Sequence, residues 1–162
     1  MILYLVRHAE AGQHGDPAYP DDSLRPITKK GRKSFERLVR KLAKRGLAPK
    51  VVITSPLVRC LQTAAVLTGE LDGPCETIVH DALAPGSDLQ TLLALSGQHQ
   101  VDEMAWCGHA PDVDLITARL IGSGHAQVVM RKGAIAKIEF EVGIEVGKGA
   151  LGWLVHPGLV SK

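Results

Sequence analysis

The sequence predicts an α/β fold: a single-domain three-layer sandwich with a mostly parallel sheet, a C-terminal antiparallel hairpin and helices on both faces. Three observations predict it. Short continuous apolar runs alternate with segments of helical periodicity along most of the chain. The last two apolar runs instead alternate in hydrophobicity across a glycine-containing turn. The 162 residues suit about one domain, 1–162, and no linker divides them.

The elements follow in order. "ILYLV" near the start reads as a strand buried on both faces. Residues 11–27 are dense in Gly, Pro and Asp and read as a long loop, a kind of segment that is usually functional or disordered. Thr28 reads as an N-cap. Phe35, Leu38, Val39, Leu42 and Ala43 then fall at helical spacing up to Gly46. "KVVIT" is a second strand, and Pro56 is expected to open a helix through about Glu70. "CETIV" is a third strand, followed by a helix over about 88–95. "EMAWCG" is a fourth strand, and Pro111 opens a helix to about Ile121. "AIAKIEFEV" and "ALGWLVH", joined by "GIEVGKG", form the hairpin.

Composition excludes several classes. Net charge is +2, too small to argue for nucleic acid. No apolar run approaches the ~20 residues of a membrane span, and "MILYLV" lacks the flanks of a signal peptide. Cys60, Cys75 and Cys107 are an odd set without CxxC spacing, which points to free thiols in a reducing compartment, the cytoplasm by default. Seven histidines show no HxH, HxxxH or HExxH spacing, so no metal is expected. No nucleotide-binding glycine loop occurs, and no cofactor is expected.

The chemistry-bearing residues converge on one edge. Arg7 and His8 come at the end of the first strand, Ser55 and Pro56 end the second, and Gly108 and His109 end the fourth. Arg59 lies about one turn into the helix after the second strand. In a parallel sheet, ligands bind beyond the carboxyl ends of the strands. Helix N-termini there favour anions, and two guanidiniums match phosphate oxygens in pairs. Of two imidazoles, one can be a nucleophile and the other a charge-neutralising donor.

"LVRHAEAG", "SPLVRCLQTA" and "CGHAPDV", in this order, resemble the histidine phosphatase superfamily, which has the phosphoglycerate mutase-like fold. The short chain and "DDSLRPITKKG" resemble its SixA-type phosphohistidine phosphatase branch. The resemblance implies that His8 is the nucleophile that becomes phosphorylated. It implies that Arg7, Arg59 and His109 bind the phosphoryl oxygens. The substrate would be a phosphorylated protein or a small phosphorylated molecule, with inorganic phosphate as product. Two departures matter. Ala9 stands where most relatives have Gly, which suffices unless the backbone needs a positive φ. The Glu general acid that many relatives carry after the third strand has no counterpart in "VHDALAPGSD".

Poor leaving groups need that proton most, so its loss favours phosphohistidine over phosphate esters. Asp22 or Asp81 could still supply it. Arg25 either caps the long loop or extends the phosphate site, and His14 lies where many relatives place a polar phosphate ligand. His80, His99, His125 and His156 read as surface or structural residues, and Cys60 and Cys107 as packing residues near the site. The basic helix over 28–46 holds nine Lys or Arg and one Glu. It reads as a solvated face, with a docking strip for an acidic phosphoprotein as the alternative. Two rival functions stay open: a small-molecule phosphomonoesterase, and a module that binds phosphorylated groups without turnover.

Overall fold

The computed structural model describes residues 1–122 and 125–160. The last two positions of the expected 1–162 domain lie outside the described residues. Six strands and four helices alternate: β1 (Ile2–Arg7), α1 (Lys29–Ala43), β2 (Val51–Thr54), α2 (Val58–Gly69), β3 (Glu76–Val79), α3 (Leu89–Ser96), β4 (Glu103–Gly108), α4 (Asp112–Leu120), β5 (Ile135–Glu139) and β6 (Ala150–Val155). They build one sheet in the order β3-β2-β4-β1-β5-β6. The first four strands are parallel, and β5 and β6 add an antiparallel portion beside β1. No helix among the described residues is long and apolar enough to cross a membrane.

The pleat divides the core between the two faces. Leu3 and Leu5 of β1, with Met104 and Trp106 of β4, pack under α3 and α4 through Leu92, Val113 and Leu120. Tyr4 and Val6, with Ala105 and Cys107, pack under α1 and α2 through Phe35, Leu38 and Leu67. Alternate residues point to opposite faces, so a strand apolar on both faces is one covered by helices on both sides. The indole N–H of buried Trp106 donates to Ser96 Oγ at 3.1 Å, which removes the cost of burying it unpaired.

Local chemistry sets the element ends. Thr28 is the N-cap of α1, and its Oγ1 accepts from Gly31 N at 2.8 Å. Such a cap contributes about 1 kcal/mol. Thr28 N donates in turn to Glu10 O at 2.8 Å, which ties α1 to the exit of β1. A Cβ at position 31 would collide with the Glu10 carbonyl, so this close approach requires Gly31.

Two boundaries differ from expectation. Helix α2 begins at Val58 with Leu57 as its cap, leaving Pro56 outside. There Ser55 Oγ accepts from Leu57 N at 3.3 Å, so a serine turn occupies the place expected for a proline-led helix start. Residues 11–27 carry more order than a plain loop. Asp22–Leu24 forms a 3-10 turn, and Ala11 and Ile27 make an antiparallel bridge.

Candidate active site

The cleft lies where the parallel strands end. Arg7 is the last residue of β1, Thr54 of β2 and Gly108 of β4, so His8, Ser55 and His109 each leave the sheet at one edge. An open cleft of about 550 Å³ there is lined by Arg7, His8, His14, Asp22, Arg25, Arg59, Asp112 and His109, among others. Gly108 fits tightly: a Cβ would stand 3.2 Å from Val113 Cγ1 and 3.3 Å from Leu83 Cδ2.

His8 is buried, and its Nδ1 lies 2.8 Å from the carbonyl oxygen of Ala9. A carbonyl only accepts, so Nδ1 carries the hydrogen and Nε2 keeps a lone pair. Burial lowers the His8 pKa to about 3, with His109, Arg59 and Arg7 adding to the effect and the Ala9 carbonyl opposing it. The ring is therefore neutral at neutral pH. No non-glycine residue among those described has positive φ, so Ala9 occupies its position without backbone strain. Ala9 N donates to Thr63 Oγ1 at 3.0 Å, and Thr63 Oγ1 donates to Arg59 O at 2.6 Å. One threonine thus links the exit of β1 to the start of α2.

Each of the two arginines is anchored through Nη1. Arg7 donates from Nη1 to Met130 O at 2.6 Å, and Arg59 donates from Nη1 to Asp22 O at 2.8 Å. Arg7 Nε and Arg59 Nε are buried and have no hydrogen-bond partner. An unpaired buried donor costs about 1–3 kcal/mol, more when charged, and an oxyanion in the cleft would remove that cost. His109 Nε2 stands 2.9 Å from Ser55 Oγ, and its ring centroid is 5.4 Å from that of His8. Buried Cys60 touches His109 Nε2 at 3.4 Å from behind, and neither Cys60 nor Cys107 lines the cleft.

Asp22, considered from the sequence as a proton donor, stands in the cleft with cationic partners on its carboxylate. Its carboxylate accepts from Arg25 Nε at 2.8 Å, from Arg25 Nη2 at 3.3 Å and from His14 Nδ1 at 2.9 Å, and lies 3.1 Å from Arg59 Nη1. Arg25 above all, with His14 and Arg59, holds this carboxyl far below the usual range. These contacts favour the ionised form of the carboxyl. Arg25 caps the loop by donating to Gly12 O at 2.6 Å, one of the two roles the sequence left open, and it also lines the cleft. His14 lines the cleft with its side chain 84% exposed. Asp81 begins a 3-10 turn, is exposed, and lies off the cleft lining.

Sequence reasoning missed Asp112 and Lys132, which also line the cleft. Asp112 Oδ2 accepts from Gly86 N at 3.0 Å. Its place directly after "HAP" was the available signal. Lys132 had none, since it arrives through backbone pairing: Gly133 N donates to His8 O at 2.9 Å. Among the described residues no three His, Cys, Asp or Glu side chains are grouped as a metal site requires.

Fold and cleft together define an α/β protein that gathers histidine and arginine side chains at the carboxyl edge of its parallel strands. The chain belongs to the histidine phosphatase superfamily (branch 1), whose family model matches residues 3–85. That span includes Arg7, His8, Asp22, Arg25 and Arg59 and ends before His109. An uncharacterised protein of Picosynechococcus sp. is 34% identical over 116 residues, covering 70% of this chain and 68% of that protein. The architecture is of SixA type. The protein histidine phosphatase SixA complexed with tungstate superposes with a TM-score of 0.83 at 25% identity, covering 98% of this chain and 99% of that one. A SixA candidate from Agrobacterium tumefaciens gives 0.78 at 20% identity over 96% and 97%. The alpha-ribazole phosphatase of Shigella flexneri gives 0.64 at 17% over 91% and 96%. At these last two identities the likeness is one of fold alone.

Proposed function

We propose that this chain is a protein phosphohistidine phosphatase that works through a phosphorylated His8, within a single domain spanning 1–162. The observation that carries the reading is the state of His8. It is buried and neutral, with Nδ1–H fixed on Ala9 O and the lone pair left on Nε2. Two buried, unpartnered guanidinium N–H groups flank it. That SixA has been solved with tungstate, a tetrahedral oxyanion, supports an oxyanion in the equivalent place here.

The chemistry follows from those atoms. His8 Nε2 attacks phosphorus in line, an Nε2–P bond forms, and the substrate's N–P bond breaks. The bonding pair goes to the departing imidazole, which leaves neutral because its other nitrogen already carries a proton. Phospho-His8 is then cationic on the ring, and the Ala9 carbonyl accepts its Nδ1–H. Arg7, Arg59 and His109 spread the equatorial oxygen charge. Water next attacks phosphorus, the pair of the breaking Nε2–P bond returns to Nε2, and inorganic phosphate leaves as dihydrogen phosphate with the water's oxygen and both of its protons, while His8 is again neutral with its Nδ1–H.

The substrate class rests on the proton donor. Asp22 is held ionised and Asp81 is outside the cleft. A departing imidazole needs no acid, whereas an alkoxide does, and general acid help is worth about 10²–10⁴ in rate. Asp112 is the observation that favours the rival, a small-molecule phosphomonoesterase, because it is a carboxyl on the cleft wall. The test is kcat/KM on a phosphoramidate, an aryl phosphate and an alkyl phosphate, for wild type and Asp112→Asn. The phosphoramidate is expected to be fastest and the alkyl ester slowest, with Asp112→Asn leaving that order unchanged. Equal rates on phosphoramidate and alkyl ester, with the ester activity lost in Asp112→Asn, establish the rival instead.

A further inference from the structure

Beside the catalytic cleft runs a second groove of about 570 Å³, lined by Lys30, Ser34 and Arg37 of α1, by Arg131 and Lys132, and by His156. Lys132 lines both the groove and the cleft, so the two adjoin. Glu10 is the single acidic residue on the groove wall.

Two features mark this surface. The first is pairing. Elsewhere on α1, Arg40 is bound by Glu70 at 2.8 Å, and Arg32 lies 3.9 Å from Glu36. Among the described residues, Lys30, Arg37, Arg131 and Lys132 make no salt bridge, a property they share with Lys29, Lys33 and Lys44, so the groove gathers four exposed cations whose charge no carboxylate pairs. The second is placement. The first turn of α1 carries no acidic residue and begins Lys29-Lys30. Cations at the positive end of a helix oppose its dipole, so the local sequence runs against helix stability there. Such a conflict marks a functional surface more often than a structural one.

We infer that this groove docks an acidic segment of the phosphorylated protein substrate, with its carboxylates on Lys30, Arg37 and Arg131 and its phosphohistidine in the adjoining cleft. The inference rests on the phosphohistidine reading above. Exposed charges at the rim of a site act mainly on encounter and on specificity. The groove therefore raises kcat/KM for acidic protein substrates and leaves the chemical step alone. Nucleic acid fits it less well, because no Phe, Trp or Tyr lines it for base stacking.

The experiment uses two phosphohistidine peptides, one flanked by glutamates and one by serines. They are assayed against wild type and the triple variant Lys30→Ala, Arg37→Ala, Arg131→Ala. Lys132 is kept because it lines the cleft. Wild type is expected to prefer the acidic peptide by about tenfold at low salt, with the preference shrinking as salt rises. The triple variant is expected to lose the preference while its kcat/KM on a small phosphoramidate stays unchanged. No preference in wild type, or a preference that survives in the variant, overturns the inference. If neither peptide is turned over, the phosphohistidine reading has failed. Competitive inhibition of aryl phosphate hydrolysis by the unphosphorylated acidic peptide then reads the groove on its own. Inhibition that is absent, or that the triple variant shares, overturns the docking site. Tighter loss of binding to DNA than to the acidic peptide in the triple variant assigns the surface to another partner and also overturns it.

Discussion

His8 donates from Nδ1 to the carbonyl oxygen of Ala9, the next residue in the chain, at 2.8 Å. That one bond fixes the tautomer of the buried ring and leaves its lone pair on Nε2. The bond spans a single peptide unit, so it depends little on the packing of distant elements. On the proposed function the ring is thus set for phosphorus before any substrate arrives, which is the sense in which the site is preorganised.

On the proposed function Asp22 is a positioning residue. Its carboxylate holds Arg25 and Arg59 while staying ionised itself. Asp22→Asn is expected to raise KM about tenfold for every phosphorylated substrate, because Arg59 loses its orienting partner and phosphate loses a pre-aimed fork. Asp22→Glu is expected to recover part of that loss. Steady-state kinetics on aryl and alkyl phosphates checks it. A loss confined to alkyl esters would instead make Asp22 the general acid.

The buried His8 sets a pH dependence of stability. Its folded pKa is about 3, against about 6.5 in the unfolded chain. Between those values the unfolded state binds a proton that the folded state does not, so stability rises with pH there. His8 contributes its full share above pH ~6.5 and loses it progressively as pH falls toward 3. The slope from this one group is at most about 1.4 kcal/mol per pH unit. Denaturant unfolding of wild type and His8→Asn between pH 7 and 5 is expected to show a shallower slope in the variant. Parallel slopes would mean that His8 is not held neutral by burial.

Phosphate, vanadate or tungstate is expected to bind among Arg7, His8, Arg59 and His109. At a hundredfold excess over Kd the gain is about 2.7 kcal/mol, a rise in Tm of several degrees. Arg59→Lys is expected to abolish most of that rise, since an ammonium cannot replace the guanidinium's Nε donor. An unchanged thermal shift in Arg59→Lys would place the anion elsewhere.

Much of this was legible from the chain. The β1, β2 and β4 runs are apolar on both faces because helices cover both, and that pattern needs no tertiary knowledge to read. Thr28 as a cap and Gly108-His109 at a strand end were visible for the same local reasons. Pro56 misled because a serine turn, not a proline, shapes the start of α2. Asp22 and Asp81 looked equivalent in sequence. Only the fold folds one back onto Arg25 and Arg59 and leaves the other in solvent. Lys132 and Met130 were invisible because long-range pairing brings them to β1. Thr63 sat inside the quoted "RCLQTA" stretch, but its bond to Ala9 N spans 54 positions that no motif reports.

The most direct test of the account is to look for the phosphoryl group on His8. The enzyme is mixed with a phosphoramidate or a phosphohistidine peptide, quenched in alkali within milliseconds, and mapped by mass spectrometry. The account predicts acid-labile, alkali-stable phosphate on His8 during turnover. It predicts none in His8→Ala, which should fold with a Tm near or above that of wild type while losing at least about a thousandfold in kcat. Steady turnover without phosphate on His8, or near-normal activity in a folded His8→Ala protein, would contradict it.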